Sequence, residues 1–524
     1  MREWGALEWT IIVARQPRSD EIAEGAMRLV LNRYGGVSAL SVSRYRNFSA
    51  PETTMRLPLL LSLAIFIACA HCTIAAEGQP NVLFIMVDDL RPEAASYGGA
   101  AITPNMDKLA ARGVQFERAY CNVPVCGASR ASLLTGIRPG RHRFLHYHSS
   151  VRKDAPGAEV LPGSFKKAGY RTISYGKVFH HQGDQREVWD VIKNPNGISS
   201  WRDYLLPENI ARDEAKGQRG PAFEIYEGAD AYRDERIADL TIASLRKASE
   251  SNEPFFMVTG FVKPHLPFNA PKQYWDLYDR DAIEIPVPYK RHADFPEAAY
   301  HRSGELRGGY SGISDDILLP ETEAKQLIHG YLAATSYVDA QIGRVLNELD
   351  ALGLRDNSVV ILLGDHGYNL GEHSLWCKHC NFDHALRVPL LIDAPGYTSD
   401  AKCEALVEFV DIYPTLLELT DVPGPAEQLQ GVSLVPLLKN PGLPGNEFII
   451  AKYQDGISLR TDRFLYTEWQ EKADGEIYAR TLFDLQQDPN ETDNLANDPA
   501  YAEQMAGLQK VLHQNWGKNF ETKP

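Results

Sequence analysis

The sequence predicts an α/β protein built on a large, mostly parallel β-sheet flanked by helices, with a smaller antiparallel sheet in a C-terminal subdomain. Between Asn81 and Thr420, apolar runs of strand length alternate with longer segments of helical periodicity. After Gly445, short apolar runs follow one another with only turn residues between them. That second pattern is typical of an antiparallel sheet.

Five segments predict strands of the large sheet: residues 81–87, 171–176, 254–262, 358–364 and 388–393. The runs 81–87, 254–262 and 358–364 are continuous and apolar, which indicates burial on both faces and therefore a central position in a parallel sheet.

Capping residues and helical spacing predict the helices that flank this sheet. Pro104 begins one helix and Gly113 ends it, whereas Gly136 ends a segment that begins at Cys126. The segment 182–228 is polar and rich in Gly, Asp and Asn, so we expect irregular surface that lines a substrate cleft. Further predicted helices cover residues 164–169, 230–249, 321–352 and 404–420.

The N-terminal region predicts export. A positive charge at Arg56, an apolar run and small residues up to Ala76 are typical of a secretory signal peptide, which we place at residues 55–76. Two alternatives stay open: a signal anchor at 57–72 and lipidation at Cys69. We expect a periplasmic, secreted or lysosomal-type protein with no stable membrane span after cleavage.

The remaining domain boundaries follow from changes in composition. Residues 1–54 show no domain pattern, and we interpret them as a gene-model extension or a disordered segment. Residues 77–440 are expected to form the α/β domain and residues 446–524 the C-terminal α+β subdomain, separated by a Pro- and Gly-containing linker. We expect a terminal helix at 499–515 to pack on the small sheet.

The net charge and the number of cysteines limit the possible partners and functions. The formal net charge of −15 argues against nucleic acid as a partner, because phosphate binding needs a basic surface. Removal of the signal peptide leaves an odd number of cysteines, so one of them is expected to do something other than pair. The cysteines that remain are Cys121, Cys126, Cys377, Cys380 and Cys403.

Polar residues follow three of the predicted central strands. Asp88 and Asp89 follow the first, His265 comes shortly after the third, and Asp365 and His366 follow the fourth. The carboxyl ends of parallel strands meet at one sheet edge, where ligands gather. Three carboxylates and an imidazole there can hold one divalent cation, and oxygen-rich ligation favours Ca²⁺ or Mg²⁺ over Zn²⁺.

A set of cationic side chains accompanies these carboxylates in an otherwise acidic chain. Grouped around a metal, such side chains describe a site for a tetrahedral oxyanion ester, in which arginine makes bidentate contacts and lysine acts as a point charge. Two of the set are histidines and are candidates for proton transfer. The set is Arg130, Lys177, His180, His265 and Lys378.

Cys126 begins the short helical segment that places a thiol, Ser129 and Arg130 together. A helix N-terminus offers unpaired backbone N–H groups, so a nucleophile there has anion-binding donors beside it. A small buried hydrophobic residue is the simpler interpretation of one cysteine. The metal-type strand ends, the cationic set and the odd cysteine count favour a nucleophile.

These residues resemble the signature of the type I, formylglycine-dependent sulfatases, in which C-x-P/A-S-R is followed by T-G. Here the segment is Cys126-Gly-Ala-Ser-Arg130, continuing to Thr135-Gly136. The resemblance runs from Asn81 to about Asn494 and is most like the iduronate-2-sulfatase branch. Other matching motifs are Asn81–Arg91, Gly176–His180, Lys263–Phe268, Gly364–Gly367, Gly371–His373, Trp376–Lys378, Asn381–Asp383 and Leu482–Leu485 with Asp488–Thr492.

The resemblance implies an alkaline-phosphatase-like fold and a specific chemistry. A maturing enzyme oxidises the Cys126 position to formylglycine, whose hydrate attacks the sulfur of a sulfated carbohydrate in a two-step covalent route. The branch implies 2-O-sulfated uronic acid as a substrate. By resemblance, one Ca²⁺ ion is bound by Asp88, Asp89, Asp365, His366 and the converted Cys126. Arg130, Lys177 and His180 would hold and deprotonate the hydrate, whereas His265 and Lys378 would grip the sulfate and assist the leaving oxygen.

Two departures and two rival functions remain. Ala128 stands where the family more often has proline, which bears on recognition by the maturing enzyme. Cys377 and Cys380 flank Lys378, and we expect a disulfide or two free thiols because a second C-x-x-C pair for a zinc site is lacking. The rivals are a phosphatase or phosphodiesterase of the same fold and a non-catalytic secreted glycan-binding protein.

Overall fold

The computed structural model describes residues 30–33, 36–39, 79–195, 201–251, 253–471 and 475–519. The predicted signal peptide lies outside these residues, as does most of the segment before it. The chain forms two compact units, Met1–Ala75 and Ala76–Pro524. In the first unit, Val30–Arg33 pairs with Gly36–Ala39 as an antiparallel hairpin.

An eight-stranded mixed sheet is the centre of the second unit. Its strands pair in parallel except Arg387–Asp393, which is antiparallel to both of its neighbours. This arrangement confirms the predicted α/β class with a large, mostly parallel sheet. The strand order is Ala401–Glu408, Val114–Tyr120, Arg387–Asp393, Ser358–Gly364, Asn81–Val87, Phe255–Phe261, Arg171–Gly176 and Val191–Lys193.

Successive side chains of each strand point to opposite sides of the sheet, and the side chains on each face pack in an apolar cluster of their own. Phe84 packs in one apolar cluster with residues of the helix Cys126–Thr135. Its neighbour Ile85 packs in a second cluster with residues of the helices Arg233–Ser249 and Glu321–Ala351. The sheet is therefore a rigid platform whose strand ends hold their side chains in place.

Two parts of the predicted secondary structure are wrong. The predicted helix 404–420 is a strand, Ala401–Glu408, followed by a shorter helix, Ile412–Thr420, because the first half pairs in parallel with Val114–Tyr120. The predicted irregular segment 182–228 contains the helix Pro207–Glu214 and short strands. In both cases pairing with distant residues decides the local structure.

The C-terminal antiparallel sheet is confirmed. Its strands lie in sequence order, and the helix Ala502–Asn519 packs on it through Leu508, Leu512 and Trp516. Hydrogen bonds connect this sheet to the large one, including Arg460 Nε to Tyr120 Oη at 3.0 Å. The strands are Phe448–Tyr453, Gly456–Thr461, Phe464–Gln470 and Ile477–Asp484. The boundary between residues 440 and 446 stays a prediction.

Further α-helices and two pairs of short strands accompany these sheets. Among the described residues, the remaining α-helices are Pro104–Arg112, Val151–Asp154, Leu161–Lys167, Lys272–Trp275, Gly304–Gly309, Asp383–Leu386 and Val435–Lys439. Phe223–Tyr226 pairs with Phe268–Pro271, and Asn369–Leu370 pairs with Trp376–Cys377. Among the described residues, the helices are too short or too polar to cross a lipid bilayer.

The turn that follows Asn81–Val87 is held by buried polar contacts. Tyr331 Oη donates to the carbonyl of Asp89 at 2.8 Å and accepts from the backbone N–H of Arg91 at 3.0 Å. The Arg91 guanidinium lies 2.7 Å from the Glu372 carboxylate. These contacts fix the direction in which Asp88 and Asp89 leave the strand.

The Arg91–Glu372 pair predicts a loss of stability in acid. Burial by itself would raise the pKa of Glu372, but Arg91 lowers it from 4.5 to about 2. A depressed carboxyl pKa contributes stability above the unfolded-state value, and the contribution is lost as the pH falls from about 4.5 to about 2. We expect Glu372→Gln to lower the free energy of unfolding at pH 7 by about 3 kcal/mol and to flatten this acid limb.

Urea unfolding followed from pH 7 to pH 3 measures this effect. The matched control is Glu348→Gln, because Glu348 pairs with Arg246 at the surface at 2.7 Å and should matter little. Equal pH dependence in wild type and Glu372→Gln would contradict the assigned role of the pair.

Candidate functional site

Two adjacent parallel strands bring the predicted acidic groups together. Gly364 lies opposite Val87 in the sheet, so the residues that follow them emerge side by side. The backbone N–H of Asp89 donates to Asp365 Oδ1 at 3.0 Å. Asp88, Asp89, Asp365 and His366 are fully buried.

Cys126 is the first residue of its helix and faces these strand ends. Its Sγ lies 3.2 Å from His366 Nε2. A Cβ atom on the next residue, Gly127, would lie 2.2 Å from the carbonyl oxygen of Tyr147, so only glycine fits there. Burial raises the pKa of the Cys126 thiol, but Lys177 and Lys378 outweigh it and hold the pKa well below its usual value. The surroundings of Cys126 Sγ therefore favour a negatively charged sulfur or oxygen atom at this position.

The donor atoms present fit a hard divalent cation. Side-chain atoms of Asp88, Asp89, Cys126 and His366 all lie within 4.8 Å of one another. Asp365 lies at the edge of this group, with Oδ1 3.6 Å from His366 Nε2. Burial raises the pKa of Asp89, and it raises the pKa of Asp365 to about 7. The raised pKa values indicate too little positive charge nearby to keep both carboxylates ionised. A Ca²⁺ ion among them would supply that charge.

Arg130 connects the two acidic strand ends. Its Nε donates to Asp365 Oδ2 at 2.8 Å, and a terminal nitrogen lies 3.2 Å from Asp88 Oδ1. It also donates to the backbone carbonyls of Lys177 and Val178. With no exposed surface, its guanidinium orients Asp88 and Asp365 rather than facing the solvent.

Lys177 and His180 approach Cys126 from the strand Arg171–Gly176. The backbone N–H of Lys177 donates to Gly260 O at 2.8 Å, and its ammonium pairs with Asp88. Burial would raise the pKa of Asp88, but Lys177 lowers it overall. His180 hydrogen-bonds to Cys126, and burial lowers its pKa, so its imidazole is neutral near pH 7. A neutral imidazole beside the nucleophile can accept a proton.

His265 and Lys378 line the opposite side, beside Asp89. Lys378 Nζ lies 2.9 and 3.0 Å from the two oxygens of Asp89 and 2.8 Å from Glu305. Burial lowers the pKa of His265, but the Asp89 carboxylate outweighs it and raises the pKa to about 10. His265 is therefore protonated near pH 7 and can donate a proton.

The structure places all of the predicted catalytic residues around Cys126, and it adds Glu305, which the sequence did not indicate. Glu305 comes from the helix Gly304–Gly309 and lies 3.1 Å from His265 Nε2. Asp89, His265 and Glu305 form a second group with metal-ligand spacing. The Lys378 ammonium contacts two of these three groups, so it takes the place of a second cation.

Two aromatic side chains stand at the rim of the site. Tyr147 and Trp201 are each 52% exposed. The Tyr147 ring is centred 6.2 Å from that of His180, and the Trp201 ring 6.0 Å from that of His265. Exposed aromatic faces of this kind suit the apolar faces of sugar rings.

The cysteines near the site are free thiols. Cys377 and Cys380 are both buried and unpaired with each other, so two free thiols, rather than a disulfide, flank Lys378. Cys377 Sγ accepts from Tyr368 Oη at 3.4 Å, and Cys380 Sγ lies 3.4 Å from Asn369 Nδ2. Cys121 and Cys403 are also buried and free.

Two family models and several known proteins match this chain. The family model described as Sulfatase matches residues 80–422, and the model described as N-sulphoglucosamine sulphohydrolase, C-terminal, matches residues 371–518. Iduronate 2-sulfatase of Mus musculus is 30% identical over 539 residues, which cover 84% of this chain and 96% of that protein.

Solved structures share the fold. One, in complex with its substrate D-glucosamine-2-N,6-O-disulfate, gives a TM-score of 0.67 at 22% identity and covers 85% of this chain and 100% of that chain. The phosphonate monoester hydrolase of Silicibacter pomeroyi gives a TM-score of 0.68 at 24% identity over 85% of this chain and 96% of that chain. At these identities the likeness establishes the alkaline-phosphatase-like architecture alone.

The buried contacts of Arg130 predict that its loss destabilises the protein. We expect Arg130→Met to lower the free energy of unfolding by about 3–5 kcal/mol, because Asp88 and Asp365 would lose a buried partner. Urea unfolding at pH 7 measures the change. Arg152→Met is the control, since its pair with Glu187 is exposed and such pairs contribute less than about 1 kcal/mol. Similar losses in both variants would contradict the role of Arg130.

Proposed function

This chain belongs to the sulfatase family and is a sulfuric ester hydrolase, and we propose that it removes sulfate from carbohydrate, with 2-O-sulfated iduronate or another uronate as substrate. We further propose that it acts through formylglycine made from Cys126 and through one Ca²⁺ ion. The observation that carries the proposal is the position of Cys126 at a helix N-terminus, between buried carboxylates and a ring of cationic side chains.

Each side chain around Cys126 has a role in this reaction. Formylglycine at position 126 would supply, as its hydrate, the hydroxyl that attacks sulfur, and Ca²⁺ would supply positive charge beside the sulfate ester. Asp88, Asp89, Asp365 and His366 would hold the ion together with the converted Cys126. His180, neutral near pH 7, would take the proton of the attacking hydroxyl.

The opposite side of the site would serve the leaving group. His265, protonated near pH 7, would give its proton to the departing sugar oxygen, so that the S–O bond breaks to an alcohol rather than an alkoxide. Lys378 would contact the sulfate oxygens, and Lys177 and Arg130 would stabilise the negative charge that develops near Cys126.

Carbohydrate is the proposed substrate class because two lines of support agree. A relative at 30% identity is an iduronate 2-sulfatase. Tyr147 and Trp201 offer two aromatic faces at the rim. We also propose export of the protein and its maturation by an enzyme that oxidises Cys126, on the basis of the predicted signal peptide.

The two rivals fit the site less well. A phosphatase or phosphodiesterase of this fold commonly holds a second metal ion, but here the Lys378 ammonium lies between Asp89 and Glu305. A glycan-binding protein without catalysis would not need Cys126 with two histidines in opposite protonation states. The phosphonate monoester hydrolase neighbour makes phosphorus esters the substrates to compare directly.

A substrate panel tests the proposed reaction. We expect protein matured by co-expression with a formylglycine-generating enzyme to release sulfate from uronate 2-sulfate disaccharides faster than from glucosamine 6-sulfate disaccharides, with little release of phosphate from phosphate monoesters. Ion chromatography of the released anions measures all three. Cys126→Ala should lower sulfate release by at least about 10³-fold because the nucleophile is lost.

The matched control is Cys403→Ala, since Cys403 is also a buried free thiol but lies on the edge strand Ala401–Glu408. It should retain sulfate release. Faster phosphate than sulfate release would reject the sulfatase reaction, and turnover of other sulfated sugars without any uronate 2-sulfate would reject the uronate substrate.

A further inference from the structure

The Glu305 carboxylate contacts two cationic side chains of the proposed reaction: Lys378, which would contact the sulfate oxygens, and His265, which would protonate the leaving oxygen. Its Oε1 atom is 2.8 Å from Lys378 Nζ and 3.1 Å from His265 Nε2. One carboxylate oxygen therefore bridges both groups. Carboxylate and sulfate oxygens are anionic acceptors for the same donors, so Glu305 and a sulfate oxygen compete for this position.

The hydrogen bonds of His265 make the competition direct. Its Nδ1 lies 2.7 Å from the carbonyl oxygen of Leu266 and donates to it, which leaves Nε2 as the ring nitrogen that can contact an anion. Nε2 is the atom that faces Glu305. Lys378 already contacts both oxygens of Asp89 in addition to Glu305. A sulfate oxygen that bridges His265 Nε2 and Lys378 therefore takes the place of the Glu305 oxygen.

The position of Glu305 allows this displacement. Its side chain is 22% exposed, whereas that of Lys378 is 2% exposed, so Glu305 stands on the solvent side of the pair. It lies in the six-residue helix Gly304–Gly309, directly after Gly304. The preceding Ser303 has a left-handed backbone with φ of 49°. A side-chain rotation can take the carboxylate into the solvent without breaking the core.

We propose that Glu305 is an internal anion that occupies the sulfate position in the free protein and exchanges with the sulfate of substrate and product. The exchange weakens binding of free sulfate and so favours release of a product that a buried cationic site would otherwise retain. This inference rests on the proposed function for the identity of the incoming anion.

Calorimetric titration of the full-length protein with sodium sulfate, at constant ionic strength, tests the exchange. Glu305→Gln keeps the size of the side chain and removes its charge. We expect its dissociation constant for sulfate to fall on the order of tenfold, because sulfate no longer displaces a carboxylate from Lys378 and His265. Equal or weaker sulfate binding by Glu305→Gln would overturn the proposal.

The matched control is Glu297→Gln, which makes the same charge change on a side chain that is 84% exposed and pairs with Arg291. Its affinity for sulfate should equal that of wild type, and a gain as large as that of Glu305→Gln would reduce the effect to net charge and overturn the exchange.

A crystal structure of the wild-type protein with sulfate gives an independent result, should Glu305→Gln fold poorly. Sulfate oxygens on Lys378 and His265, with Glu305 turned away, support the exchange. Sulfate bound while Glu305 keeps both contacts rejects it. Tighter sulfate binding by Glu305→Gln without turnover of any sulfate ester would reject the proposed function and leave this inference standing.

Discussion

Three carboxylates lie fully buried at the ends of two adjacent strands, and the site depends on neutralising them. Buried charges persist only when they are paired, because the interior cannot solvate them. Arg130 spans Asp88 and Asp365, Lys177 pairs with Asp88, and Lys378 pairs with Asp89. Because the apolar strands that precede them are buried throughout, these carboxylates cannot move into the solvent. A divalent cation among the carboxylates would add the positive charge that these three cationic side chains leave missing.

The arrangement divides the site into two halves with opposite proton demands. On one side, burial keeps His180 neutral beside Cys126. On the other side, Asp89 keeps His265 protonated despite burial. A base near the nucleophile and an acid near the leaving group are what ester hydrolysis requires. Glu305 contacts both His265 and Lys378 and is more exposed than either, so the proposed exchange of anions takes place on the solvent side of the acid.

The parts that the sequence predicts well are those decided locally. Asn81–Val87 and Ser358–Gly364 are continuous apolar runs, so their strand ends and the carboxylates that follow are readable directly. Val114–Tyr120 is interrupted by Glu117 and Arg118 and carries no such signal, although the sheet includes it. Glu305 is a single acidic residue in a loop-rich segment, and only the folded chain brings it to Lys378. Contacts between residues distant in sequence decide such positions.

The chemical identity of the group at position 126 decides whether the nucleophile is formylglycine or a thiol. The measurement is mass spectrometry of the peptide that contains Cys126, from protein that has been co-expressed with a maturing enzyme and hydrolyses a sulfate ester. We expect formylglycine, detected as an aldehyde that a hydrazide reagent captures. An unmodified thiol that iodoacetamide alkylates, found throughout fully active protein, would contradict it.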